Sequence, residues 1–240
     1  MIARIVRVLA AVALLALSAA VVAEPAYEGR RKCASCHKSQ GDSWSETAHA
    51  KAFDSLKART KADAKRRAKL DPDKDYTQDK ECVGCHVDGF AKEGGYDVQE
   101  PSKYLVGVGC ESCHGPGSEY RRMHRKAGEA FEKSKKTTPR QALADAGQDF
   151  HLVERCSACH LNYEGSPWKG AKKPYTPFTP KVDKKYAFNF DVAVRDGKAI
   201  HSHFKLDGTF VGPPIPSFRD EFQAKAKPGA MSFASAGNGT

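Results

Sequence analysis

One five-residue phrase occurs four times in this chain. It reads Cys33-Ala34-Ser35-Cys36-His37, then Cys82-Val83-Gly84-Cys85-His86, then Cys110-Glu111-Ser112-Cys113-His114, and last Cys156-Ser157-Ala158-Cys159-His160. Together the four phrases use all eight cysteines. Zinc sites also use paired Cys-x-x-Cys units, but zinc does not ask for a His directly after each pair. Four identical tight spacings do not form a disulfide framework either. Cys-x-x-Cys-His is the attachment signature of haem c, and here it predicts four covalent haems. Two thiols bond the two vinyl groups of the porphyrin, and the next residue places its imidazole beneath the iron. His37, His86, His114 and His160 are therefore the expected proximal ligands.

The N-terminus is expected to be a secretory leader. Arg4 and Arg7 precede a small-apolar run from Val8 to Val22, and Val21-Val22-Ala23 offers small residues before a cut. This predicts a leader over residues 1–23, cleaved before Glu24. The run is shorter than the roughly 20 apolar residues of a membrane span. Export fits haem attachment outside the cytoplasm and implies a bacterial periplasm.

Residues 24–224 are expected to form the haem-binding domain and 225–240 a disordered tail rich in Ala, Gly, Ser and Lys. The mature chain is polar, with thin aliphatic content. Four haems would supply the missing apolar area, so the expected fold is mainly α with the haems as core and little β. The formal charge is +10, and loss of Arg4 and Arg7 lowers it by two. A basic chain invites a nucleic-acid reading, which export excludes. Each oxidised haem c adds about one negative charge, so much of the Lys/Arg excess reads as propionate counter-charge.

Along the mature chain, Ser43-Trp44-Ser45-Glu46 has a capping-box pattern that predicts a helix start. His49, Phe53 and Leu56 follow at helical spacing. The Lys/Arg/Ala stretch from Lys57 to Leu70 reads as a solvated helix stopping before Asp71-Pro72. Ser118 is expected to open a helix with Tyr120, His124, Ala127 and Phe131 on one face. Thr138-Pro139 is expected to start a short helix. Asn162 to Pro180 is Pro-rich and irregular, with Trp168, Tyr175 and Phe178 as aromatic mass for packing on a haem. Tyr186 to Val194 alternates like a strand while Asp191 to His203 has helical spacing, and the pattern does not decide between them. Asp207-Gly208 marks a turn with a short hairpin around it.

Five further His can serve as sixth ligands: His49, His124, His151, His201 and His203. A Met ligand is disfavoured, because only Met123 and Met231 remain in the mature chain. Bis-His coordination with low potentials is expected. His49 and His124 sit inward on helices after the first and third motifs. A reciprocal arrangement assigns His49 to the third haem and His124 to the first. No such donor follows the second or fourth motif, so one iron of that pair is expected to lack a protein sixth ligand.

Longer stretches carry a resemblance: Ser45-Glu46-Thr47-Ala48-His49-Ala50, Asp71 to Asp79, His86-Val87-Asp88-Gly89-Phe90, Cys110 to Gly117, and Cys156 to Pro180. With the four motifs and their spacings, they make the chain resemble the cytochrome c-554 family, tetrahaem cytochromes of ammonia-oxidising bacteria. The resemblance covers the mature chain apart from the tail. It implies a mostly helical fold with two pairs of parallel, stacked haems. It implies three bis-His haems and a high-spin second haem whose open face is crowded by Phe178. For the fourth haem it favours His151 as distal ligand, with His201 the alternative.

The function it implies is electron transfer in ammonia oxidation: hydroxylamine oxidoreductase as donor, and a soluble or membrane-anchored cytochrome as acceptor. The competing reading is an enzyme that reduces nitric oxide at the open second haem. All four motifs end in His, which weakens a nitrite-reductase reading.

Overall fold

The computed structural model describes residues 24–160, 176–202, 204–205, 208–213 and 227–228. The leader (1–23), Trp168, Tyr175 and His203 lie outside these residues, as does most of the tail. The described chain is a series of short helices joined by tight turns, with only two-residue strands. No described helix is long and apolar enough to cross a membrane.

Every Cys-x-x-Cys-His phrase begins in or on a helix: Arg30–Ala34, Lys80–Val83, Cys110–His114 and Leu152–Cys159. One turn suffices, because residues three apart share a helix face and present both thiols to the same side. Asp79 caps the second of these helices, its carboxylate accepting from the Glu81 amide at 3.1 Å. The third is capped from a distance. Buried Asp88 accepts from the Gly109 amide at 3.0 Å, the Ser112 amide at 2.9 Å and the Ser112 hydroxyl. Gly109 is required there, since a Cβ would stand 2.1 Å from Asp88 Oδ2.

The longest described helix, Tyr120–Ser134, buries Tyr120, Ala127 and Gly128. This is the expected inward face, and it carries His124. Ser118 does not cap the helix; its hydroxyl accepts from the Ala26 amide at 2.9 Å. Lys135, in the left-handed region, ends it.

Elsewhere local pattern and fold part company. The helix near Ser43 runs over Lys38–Ser45 and ends where a start was expected. Buried Thr47 turns the chain: its hydroxyl donates to the Trp44 carbonyl at 2.7 Å and accepts from the Ala50 amide at 3.2 Å. Such side-chain bonds compete with helix continuation. After a 3₁₀ turn at Phe53–Leu56 comes a helix limited to Ala62–Arg67. It is not fully solvated, because Lys65 is buried and donates to the Lys57 carbonyl at 2.6 Å.

Thr138–Pro139 is a strand rather than a helix start, pairing in parallel with Phe210–Val211. Phe204–Lys205 pairs with Lys227–Pro228, so the segments flanking Asp207-Gly208 form no hairpin with each other among the described residues. The ambiguous stretch from Tyr186 resolves into a 3₁₀ turn, Lys184–Tyr186, and a helix, Phe190–Ala193, capped by Asn189.

The apolar core is divided. One cluster joins Leu56, Tyr76, Val83, Val87, Tyr96, Val98 and Leu105. A second joins Tyr120, Leu143 and Phe150, and a third Phe190 and Val194. Polar staples tie the parts together. Glu111, fully buried within the third motif, accepts from the amides of Glu28 at 3.0 Å, Gly29 at 2.7 Å and Gly117 at 2.7 Å. Glu28 in turn makes a two-point ion pair with Arg121, which holds its carboxyl below the usual range. The N-terminal segment, the third motif and the long helix are thereby locked together.

Glu111→Gln places an NH₂ group among these donors and removes the charge that strengthens each bond. Denaturant unfolding of the holoprotein is expected to show a loss of about 3 kcal/mol. An unchanged midpoint would contradict the stapling role.

Candidate haem-binding site

The motifs adjoin one another in a definite order. The helices of the first and third motifs pack together, as do those of the third and fourth. Cys33 lies within hydrogen-bonding reach of Cys110, and Cys85 within reach of Cys159. Cys113 lies within electrostatic range of Cys156, whose ionisation would oppose its own. The spatial series is therefore first, third, fourth, second. These thiols are the atoms that become thioethers once haem is attached.

The motif imidazoles are opposed by others. His37 faces His124 with ring centroids 6.3 Å apart, His160 faces His49 at 6.0 Å, and His114 faces His201 at 6.4 Å. An iron held between two imidazoles fixes this quantity. Two metal–nitrogen bonds of roughly 2 Å, with roughly 1.1 Å from each nitrogen to its ring centre, give roughly 6.2 Å. Each ring plane contains the iron–nitrogen axis, so the observed interplanar angles of 66°, 66° and 30° are all compatible. The residues present fit haem iron on this measure.

Hydrogen bonds aim several of these rings. His49 bonds the Ala199 backbone, and His201 Nδ1 lies 2.8 Å from the Ser202 carbonyl. His86 Nδ1 lies 2.7 Å from the Ala52 carbonyl. A carbonyl on Nδ1 selects the tautomer whose Nε2 lone pair is available to a metal. Burial lowers the pKa of His37, His49 and His86, and pushes His160 down to about 4. The neutral form that a ligand needs is thus favoured at neutral pH. Aromatic walls complete the surroundings. Phe188 stacks on His160 at 4.2 Å, and Tyr120 and Phe210 meet His124 edge-on at 5.6 and 5.2 Å.

Set against the sequence reading, His124 opposes His37 as expected from its helix face. His49 does not oppose the third motif; it faces the fourth. His201 faces the third motif, not the fourth. The cause is a long-range docking. The Ala48 amide donates to the Lys198 carbonyl at 2.8 Å and the Ser202 amide to Ser43 Oγ at 2.7 Å. On its other side the His49 carbonyl accepts from the Val108 amide at 3.0 Å. The loop carrying His49 is fixed between two remote segments, one of which brings in His201.

His151 stands at the surface. Its side chain is 80 % exposed and turns to Asp149 at 3.3 Å, so closeness in sequence to the fourth motif does not make it a ligand candidate in space. No second imidazole is paired with His86 among the described residues. Phe178 is half-buried and meets Tyr186 edge-on at 5.3 Å. Its segment joins the helix Ala62–Arg67 through Arg67 and Asp183 at 3.7 Å.

The residues missed by pattern reading are Ala52, Ser55, Ala199, Phe188 and Phe210. Two act through backbone carbonyls, which no side-chain pattern encodes. Asp88 stands in a stretch that carries the family resemblance, but its role has no sequence signal: two residues beyond His86, it caps the third motif's helix and so couples neighbouring motifs. Burial pushes its carboxyl up to about 7, against the pull of the Ser112 and Gly109 donors.

Residues 32–115 match the family described as cytochrome c554 and c-prime. The chain is 64 % identical to cytochrome c-554 of Nitrosomonas europaea over 222 residues, covering 92 % of this chain and 94 % of that protein. It also superposes on a solved structure of the reduced Nitrosomonas europaea cytochrome c554. The TM-score is 0.81 at 66 % identity, over 86 % of this chain and 99 % of that one. With attachment motifs, opposed imidazoles and these likenesses in agreement, the chain belongs to the cytochrome c-554 family of electron-transferring c-type cytochromes.

Proposed function

We propose that this protein is a periplasmic carrier with four haems c, accepting electrons from hydroxylamine oxidoreductase and passing them to another cytochrome. The observation that carries this reading is the serial adjacency of the four attachment sites, with motif imidazoles opposed by second imidazoles at three of them. Haem c, when bound, supplies an iron that alternates between ferric and ferrous states. Where two imidazoles oppose each other, both would be taken up in holding the group, which suits electron transfer and would leave no position for a substrate.

The protein's own part is to hold and aim. His37 and His124, His114 and His201, and His160 and His49 would hold the group in pairs. The Ala199 and Ser202 carbonyls fix the orientation of two of them. Asp88 and Glu111 keep the neighbouring motif segments in register. The series has two ends, the first and second motifs, which makes their surroundings the ports for donor and acceptor. A net positive chain suits an acidic partner surface.

A second reading is reduction of nitric oxide at the second motif. It is favoured by one observation, that no described imidazole is paired with His86. Phe178 would then limit access to that face.

Two measurements test these assignments. Oxidised holoprotein mixed with hydroxylamine oxidoreductase and hydroxylamine is expected to be reduced rapidly in stopped-flow absorbance; absence of reduction would remove the donor from the account. His201→Ala is expected to convert one further haem to the high-spin state in resonance Raman spectra, whereas His151→Ala leaves the spin-state populations unchanged. High-spin conversion by the second variant instead of the first would reverse the ligand assignment.

A further inference from the structure

The Ala52 carbonyl is shared by three donors. The Ser55 amide reaches it at 3.1 Å in the 3₁₀ turn, the Ser55 hydroxyl at 2.5 Å, and His86 Nδ1 at 2.7 Å. The Ser55 hydroxyl also lies 3.4 Å from His86 Nδ1. A carbonyl oxygen has two lone pairs. Three donors must therefore divide the acceptor strength of one oxygen, and each bond is weaker than it would be alone.

This matters because a bond from Nδ1–H sets how basic the opposite nitrogen is. A strong acceptor draws the Nδ1 proton away, makes the imidazole more anionic and raises its donation to a metal at Nε2. A weakened acceptor does the reverse. We propose that Ser55 is a positioning residue for the second motif: by occupying part of the Ala52 carbonyl, its hydroxyl moderates how strongly His86 donates to haem iron. The inference rests on the reading of His86 as a proximal ligand with no opposing imidazole.

Ser55 is well placed for such a role and for little else. Its side chain is half-buried and bonds back three residues, a local arrangement open to Ser or Thr. The surrounding turn is held independently. Lys65 ties the Leu56 and Lys57 carbonyls, and the Tyr76 amide donates to the Leu56 carbonyl at 2.9 Å. Removing one hydroxyl therefore leaves the turn in place while freeing the Ala52 carbonyl for His86.

The test is resonance Raman of the ferrous holoprotein, where the iron–histidine stretch arises from five-coordinate haem alone and so reports on the second motif. Ser55→Ala is expected to move this band to higher frequency and to make the potential of the same haem more negative. Ser55→Thr, which restores the hydroxyl, is expected to keep both at the wild-type values. Unchanged low-spin bands in both variants serve as the control for folding. A wild-type band that Ser55→Ala does not move would overturn the role of Ser55 and leave the coordination reading intact. Absence of the band from the wild type would overturn the coordination reading, and this inference with it.

Discussion

Two imidazoles sharing an iron must face each other with their centres roughly 6.2 Å apart. The rest of this structure is arranged to meet that demand. Attachment motifs alone place one imidazole beside each haem. The second must come from elsewhere in the chain and arrive neutral, buried and aimed. The long helix brings His124 to His37 on its inward face. A tight turn around Thr47 brings His49 to His160. A remote segment near the C-terminus brings His201 to His114. Three different local structures deliver the same distance, within 0.4 Å of one another.

A chain with thin aliphatic content needs other means to hold such an arrangement. Among the described residues the apolar core falls into three separate clusters. Buried carboxylates take over part of the work. Asp88 and Glu111 each collect several backbone or hydroxyl donors, which offsets the cost of burying a charge. Both act on the third motif, the one that adjoins the first and the fourth. The haem-bearing segments are thus held together at the middle of the series.

Much of this was legible in the sequence because the chemistry demands contiguous residues. Two thiols and an imidazole must lie within one helical turn, so the attachment sites could be read directly. His124 was legible too, since helical periodicity places it on the face with Tyr120 and Ala127. The partners of His49 and His201 were not. They depend on residues 198–202 docking against 43–48, a contact across some 150 positions that leaves no periodic trace. His151 shows the converse: it lies near the fourth motif in sequence, yet Asp149 holds it at the surface. The Ser43 capping pattern misled for a related reason, because Thr47 uses its hydroxyl to turn the chain where a helix was expected to begin.

The central claim is that three of the four motif imidazoles have an opposing imidazole and that His86 has none among the described residues. Electron paramagnetic resonance of the fully oxidised holoprotein tests it most directly. The account predicts low-spin ferric signals integrating to three haems and one high-spin ferric signal assignable to the second motif. Four low-spin haems would contradict it.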